Sequence, residues 1–198
     1  MRKALILLLI STSVFAQKKY YFDLEGKPMK PGKFENSRNY REYIKSESRS
    51  DTATIFRLEE RFVEGSLSAS QHAKIVGSLR LQSGDSLRAK TIVIDYYPGK
   101  DACNSSGGGA DDSYWIPYLT DLKKFPSVKQ FFIHTPDESR HWFPKKLAIP
   151  DKNKIIEKLL FPAHYPCGSF AIIWPDRTFV VFKGEYPRDL VFRCLKAK

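Results

Sequence analysis

The sequence predicts an α/β domain from about residue 89 to the C-terminus, preceded by a smaller β-rich region. Three observations lead there. Thr91–Tyr97 (Thr-Ile-Val-Ile-Asp-Tyr-Tyr) is a nearly unbroken apolar run, the signature of a strand covered on both faces. Strand-like and helix-like patterns then alternate to the end of the chain. The 198 residues are 42% hydrophobic and 14% aromatic, enough to build a core and to exclude a disordered or collagen-like chain.

Residues 17–88 are polar and charged, with short strand-like runs between turn formers. Tyr20–Asp23 reads as a strand that enters the turn Glu25-Gly26. Thr54–Val63 and Lys74–Leu81 read as strands, with Gly65, Gly77 and Gly84 as breakers. Arg38–Arg49 fits a polar helix and an extended strand equally well. Beyond Thr91–Tyr97, the loop Pro98–Asp112 carries Gly107-Gly108-Gly109 at its middle. Asp112 or Ser113 is placed to cap a helix whose Trp115, Tyr118, Leu119 and Leu122 fall at i, i+3, i+4 and i+7. Pro117 holds the first turn of that helix to residues 113–117, because a proline deeper inside costs about 3 kcal/mol. Lys129–His134 is a second buried strand, ended by Thr135-Pro136-Asp137. Asp151 is expected to cap a helix with Ile155, Ile156, Leu159 and Leu160 on one face. Phe170–Trp174 and Thr178–Lys183 are strands joined by Pro175-Asp176-Arg177. Pro187 opens the last helix, in which Leu190, Val191, Cys194 and Leu195 share a face.

The N-terminus carries an address. Met1-Arg2-Lys3, the apolar Ala4–Ile10 and Val14-Phe15-Ala16 before Gln17 follow the layout of a secretory signal peptide spanning residues 1–16. Its removal takes Arg2 and Lys3 with it and lowers the net charge from +11 to +9. Gln17, not cysteine, follows the cleavage point, which argues against a lipid anchor. No later apolar run approaches 18 residues, so no transmembrane segment is expected after signal removal. The expected location is secreted, periplasmic or extracellular. In such an oxidising compartment one pair among Cys103, Cys167 and Cys194 can persist as a disulfide. The helical pattern makes Cys194 a buried core thiol. Cys103 and Cys167 both lie in loops rich in turn formers, which favours their pairing.

The order strand, helix, strand, helix, hairpin, helix over Ala89–Lys196 resembles the thioredoxin fold. Ile92-Val93-Ile94-Asp95-Tyr96-Tyr97 is similar to that family's central strand, whose apolar run ends in Asp and two aromatics before the redox loop. Ser169–Glu185 is similar to its final hairpin. The resemblance implies a three-layer α/β/α domain over residues 89–198, with 17–88 as a β-rich N-terminal region lacking a counterpart. It also implies that the Cys103 loop and Pro166-Cys167-Gly168 face each other, where a disulfide's Cα separation of roughly 5.5 Å is attainable. The family's two cysteines, separated by two residues at a helix N-terminus, are reduced here to Cys103, with Ser106 where the second would stand. A dithiol cycle within that loop is therefore impossible. The glycine triplet separates Cys103 from the helix start, and Pro166-Cys167-Gly168 occupies the place of the family's cis-proline.

The expectation is thus an exported thioredoxin-like protein with a degenerate redox motif, a non-catalytic binding or structural module of the cell envelope. The alternative is a thiol–disulfide oxidoreductase using Cys103 and Cys167, with Asp95 as the buried proton acceptor that the resemblance implies. Other chemistry is weaker. His164 stands three residues before Cys167, and Cys103 would make a third ligand for Zn²⁺ or copper, but a loop with a satisfied histidine is the expectation, so no metal and no cofactor is assigned. His134 with Asp137 and Glu138 has no nucleophile beside it. Asp111-Asp112 lacks the spaced ligands of a calcium loop. The glycine triplet lacks the Lys-Ser/Thr of a phosphate loop. Basic pairs such as Lys18-Lys19, Lys123-Lys124 and Lys145-Lys146 are scattered. They point to a protein or an anionic envelope component as partner, and not to nucleic acid.

Overall fold

A computed structural model describes residues 17–39, 41–84, 86–101, 103, 112–136, 143–144 and 146–198. The signal segment, Ser106, the glycine triplet, Asp111 and the pair Asp137/Glu138 lie outside the described residues. The chain runs β1 (Lys18–Phe22), α1 (Pro31–Glu35), β2 (Tyr43–Arg49), β3 (Ala53–Glu60), β4 (Phe62–Ser66) and α2 (Ala69–Ser83). It continues through β5 (Thr91–Tyr97), α3 (Asp112–Leu122), β6 (Val128–His134), β7 (Ala148–Pro150), α4 (Ile155–Leu160), β8 (Ser169–Ile173), β9 (Thr178–Phe182) and α5 (Asp189–Lys196). The described residues form an α/β structure with two sheets. Among the described residues no helix is long and apolar enough to cross a membrane.

The larger sheet has the order β4-β9-β8-β5-β6-β7. β5 runs parallel to β6 and antiparallel to β8, and β8 runs antiparallel to β9. All seven residues of β5 and all five of β8 are buried, as their unbroken apolar runs require. Alternation along β5 divides the core. Ile92, Ile94 and Tyr96 join one cluster with Ile75 and Leu79 of α2 and Ile156 and Leu160 of α4. Val93 and Tyr97 join the other with Trp115, Tyr118 and Leu122 of α3 and Val191 of α5. Lys154, not Asp151, occupies the N-cap position of α4, yet the Asp151 carboxylate does serve the first turn, accepting the amides of Ile155 and Glu157, each at 2.9 Å.

Two expectations fail here. Lys74–Leu81 is not a strand but the heart of α2. The decisive signals are a capping box, in which Ser68 and Gln71 satisfy each other's backbone amides, and Ile75, Ser78 and Leu79 buried at helical spacing. Gly77 is accommodated, and the helix stops at Gly84, whose φ of 71° closes it in the left-handed region. The second failure is Pro117. The helix α3 begins at Asp112, so Pro117 lies inside it and Ser113 is not its cap. The lost hydrogen bond is offset by burial of Trp115, Tyr118 and Leu122. Residues 62–83, which carry a polar composition, contribute β4 and α2 to the larger sheet and its core. Arg38–Arg49 resolves into a strand over Tyr43–Arg49 because β3 supplies an antiparallel partner from Tyr43↔Glu60 to Arg49↔Thr54.

The smaller sheet has the order β1-β3-β2, with β1 parallel to β3. Beside Leu58 and Ile44 it carries an aromatic group in which Tyr21 stacks on Phe56 at 4.9 Å and meets Phe34 edge-on at 5.3 Å. It docks on the larger sheet through Ile44, which packs on the first core cluster, and through Glu59. The Glu59 carboxylate accepts from Lys183 Nζ at 2.6 Å and from Tyr165 Oη at 2.8 Å. Burial pushes the Glu59 carboxyl up, but Lys183, Ser46 and Tyr165 together hold it below its ordinary value.

Candidate functional site

The site is set by strand register. Tyr96 of β5 faces Ser169 of β8, so the loop leaving β5 and the turn entering β8 emerge side by side. Cys103 lies on the first and Cys167 on the second. Their Cα atoms are 5.5 Å apart, with the sulfurs at bonding distance across 64 residues of chain. The favoured pairing is therefore the one the fold brings together. Cys194 stands apart on α5, free and only half-buried, packed at the edge of the second core cluster, less enclosed than its helical pattern predicts. Burial nevertheless raises its thiol pKa.

Asp101 holds the two loops together. One carboxylate oxygen accepts the Cys103 amide at 2.8 Å, a two-residue Asx turn; the other accepts the Cys167 amide at 3.0 Å. That second oxygen is also 3.0 Å from His164 Nε2. His164 is itself bridged through its backbone to Glu47 of β2, so the small sheet reaches the rim of the site. The Cys167 turn is strained: φ is +66°, a conformation that costs a non-glycine residue about 1–3 kcal/mol. Gly168 follows with φ of +117°, and a Cβ there would meet the Tyr96 carbonyl at 3.0 Å. The turn contains no cis peptide.

Asp95 lies on β5 immediately before Tyr96. It is 1% exposed and accepts from Tyr118 Oη at 3.0 Å, from Gln130 Nε2 at 2.6 Å and from Tyr186 Oη. Burial pushes its carboxyl up to about 7, against the opposing pull of Tyr118, Gln130 and the Arg188 charge. Tyr186 links it to a cavity of about 230 Å³ whose walls include both cysteines, Tyr96, Trp115, Tyr186 and Arg188. The Arg188 guanidinium is fixed over Tyr114 at 3.5 Å and Trp115 at 4.3 Å, and its Nη1 donates to the Tyr114 carbonyl at 2.6 Å.

Sequence reasoning missed Asp101 and Arg188. Asp101 was legible in principle, since an Asp two residues before Cys103 is an Asx-turn pattern. Arg188 offered no comparable signal, because its partners come from α3. His134, the other histidine with a sequence-level role, is buried with Nδ1 2.7 Å from the Thr135 carbonyl oxygen. No protein-family model matches the chain, and no curated protein sequence matches it.

Proposed function

We propose that this chain is an exported, thioredoxin-like module of the cell envelope whose Cys103–Cys167 site binds and does not catalyse. The thioredoxin-like reading is supported by the strand order β6-β5-β8-β9, parallel at its first step and antiparallel at the next two, followed by a closing helix. Export is supported by the signal-like residues 1–16 and by a cysteine pair in a chain that keeps its sulfurs at bonding distance. The basic surface, +9 after signal removal, favours an anionic envelope component as partner.

The observation that carries the non-catalytic reading is the Asp101 carboxylate. It has an oxygen within 4.8 Å of both sulfurs, where its charge disfavours a thiolate on either cysteine. A redox-active thiol needs the opposite field, one that favours the thiolate. The pair then acts as a staple between two cavity walls.

The test is a glutathione redox titration of the mature chain, read by alkylation and mass spectrometry, beside an assay of disulfide-substrate reduction. The expected midpoint lies below about −300 mV, with no turnover. Turnover, or a midpoint inside the glutathione range, replaces this reading with an oxidoreductase in which Cys103 and Cys167 exchange and Asp95 takes the proton. Recovery of a mature chain beginning at Gln17 from the exported fraction tests the localisation.

A further inference from the structure

Asp101, Cys103 and Cys167 place a carboxylate oxygen and two sulfurs within 4.8 Å of one another. His164 Nε2 stands 3.0 Å from Asp101 Oδ2. Two thiolate sulfurs, an imidazole nitrogen and a carboxylate oxygen are donor types that Zn²⁺ takes in tetrahedral sites. The hard oxygen in the set favours Zn²⁺ over Cu(I), which prefers sulfur alone or sulfur with imidazole. We propose that the reduced form of this site is a Zn²⁺ centre. Its ligands are Cys103 Sγ, Cys167 Sγ and Asp101 Oδ2, with His164 Nε2 turning in as the fourth.

The electrostatics that make the site a poor redox catalyst make it a good cation site. Asp101 disfavours thiolates because three negative charges would crowd together, and a divalent cation neutralises two of them. In the disulfide the sulfurs are spent on each other, so metal binding is confined to the reduced chain. Opening the bond takes two electrons from an external dithiol, which leaves as its own disulfide and delivers two protons to the sulfurs. Zn²⁺ then displaces those protons to solvent and forms two Zn–S bonds. Cys103 is exposed, and the His164 side chain is 40% exposed, so both have room to adjust. The two sulfurs need to separate to roughly 4 Å, a side-chain rotation compatible with the 5.5 Å Cα spacing. This inference goes beyond the binding function and does not depend on the fold family.

The experiment uses the mature chain reduced anaerobically with a phosphine, which is itself oxidised to the phosphine oxide with oxygen from water. Co²⁺ is titrated as the spectroscopic probe and then displaced by Zn²⁺. The expected result is one equivalent of Co²⁺ with thiolate charge-transfer bands and the visible bands of tetrahedral coordination, absent in the unreduced chain and in Cys103→Ser. His164→Ala and Asp101→Asn each weaken Co²⁺ by roughly tenfold or more, with circular dichroism confirming that both remain folded. In the glutathione titration Zn²⁺ raises the midpoint by about 30 mV for each tenfold excess over its Kd. The inference is overturned by a reduced chain without tetrahedral bands, by the same bands in Cys103→Ser, by unchanged affinity in both ligand variants, or by a midpoint indifferent to Zn²⁺. The midpoint without metal tests the binding function alone, so the two proposals fail separately.

Discussion

In the larger sheet every residue of β5 and β8 is buried, whereas β1 leaves its first three residues exposed and β3 buries only Thr54 and Leu58. The larger sheet is covered on both faces and stabilised by apolar area. The smaller one has a single aromatic group and leans on its neighbour through Ile44 and Glu59. The contrast separates a region that holds the site from one that reaches its rim, through the Glu47–His164 bridge.

Core truncation gives the largest expected difference. Phe170→Ala, at a fully buried position of β8, is expected to cost about 3–5 kcal/mol in urea unfolding. Phe56→Ala, half-buried in β3, is expected to cost about 1–2 kcal/mol. Equal losses would erase the distinction between the sheets. Replacing Cys103 and Cys167 together by serine removes a link across 64 residues and is expected to cost about 4 kcal/mol on the chain-entropy model. The same urea unfolding measures that loss.

pH divides the two regions by sign. The Asp95 carboxyl is raised to about 7 in the folded protein, so the folded state binds an extra proton between the ordinary carboxylate range and neutrality. Stability contributed by this group is full at low pH and falls as pH rises toward about 7. Asp95→Asn is expected to flatten that slope, gaining a few kcal/mol relative to wild type at pH 8 and little at pH 4. Glu59 has the opposite sign: its carboxyl is held low, so its contribution is present above the ordinary carboxylate range and is lost on acidification. Glu59→Gln is expected to cost about 1–2 kcal/mol at neutral pH. Amide exchange should speed up in β2 and β3 while β5 and β8 keep their protection. Faster exchange in β5 would show that the small sheet supports the core.

Much of the larger sheet was legible because its elements announce themselves locally. The apolar runs of β5 and β8, the Asp151 signal before α4 and the Pro175-Asp176-Arg177 turn needed no partner to be recognised. The strand expected over Lys74–Leu81 fails because the capping box at Ser68 and Gln71 and the burial of Ile75, Ser78 and Leu79 at helical spacing fix a helix that runs through Gly77. The tripeptide Gly-Ser-Leu makes the point within one chain. At Gly65-Ser66-Leu67 it ends a strand, with Gly65 against the Phe179 ring, and at Gly77-Ser78-Leu79 it lies inside a helix. Short-range propensity was the same in both; the tertiary partners differed.

The α/β class, most element positions, the charge and the loop placement of Cys103 and Cys167 are legible in the chain alone, because periodicity, capping and composition are local properties. That Tyr96 lies opposite Ser169, and therefore that Cys103, Cys167, Asp101 and His164 converge, emerges in the folded sheet. Folding likewise buries Asp95 among Tyr118, Gln130 and Tyr186 and so raises its proton affinity. Convergence across 64 residues depends on register between strands, and register is a property of the folded sheet, set by how both faces bury their side chains together.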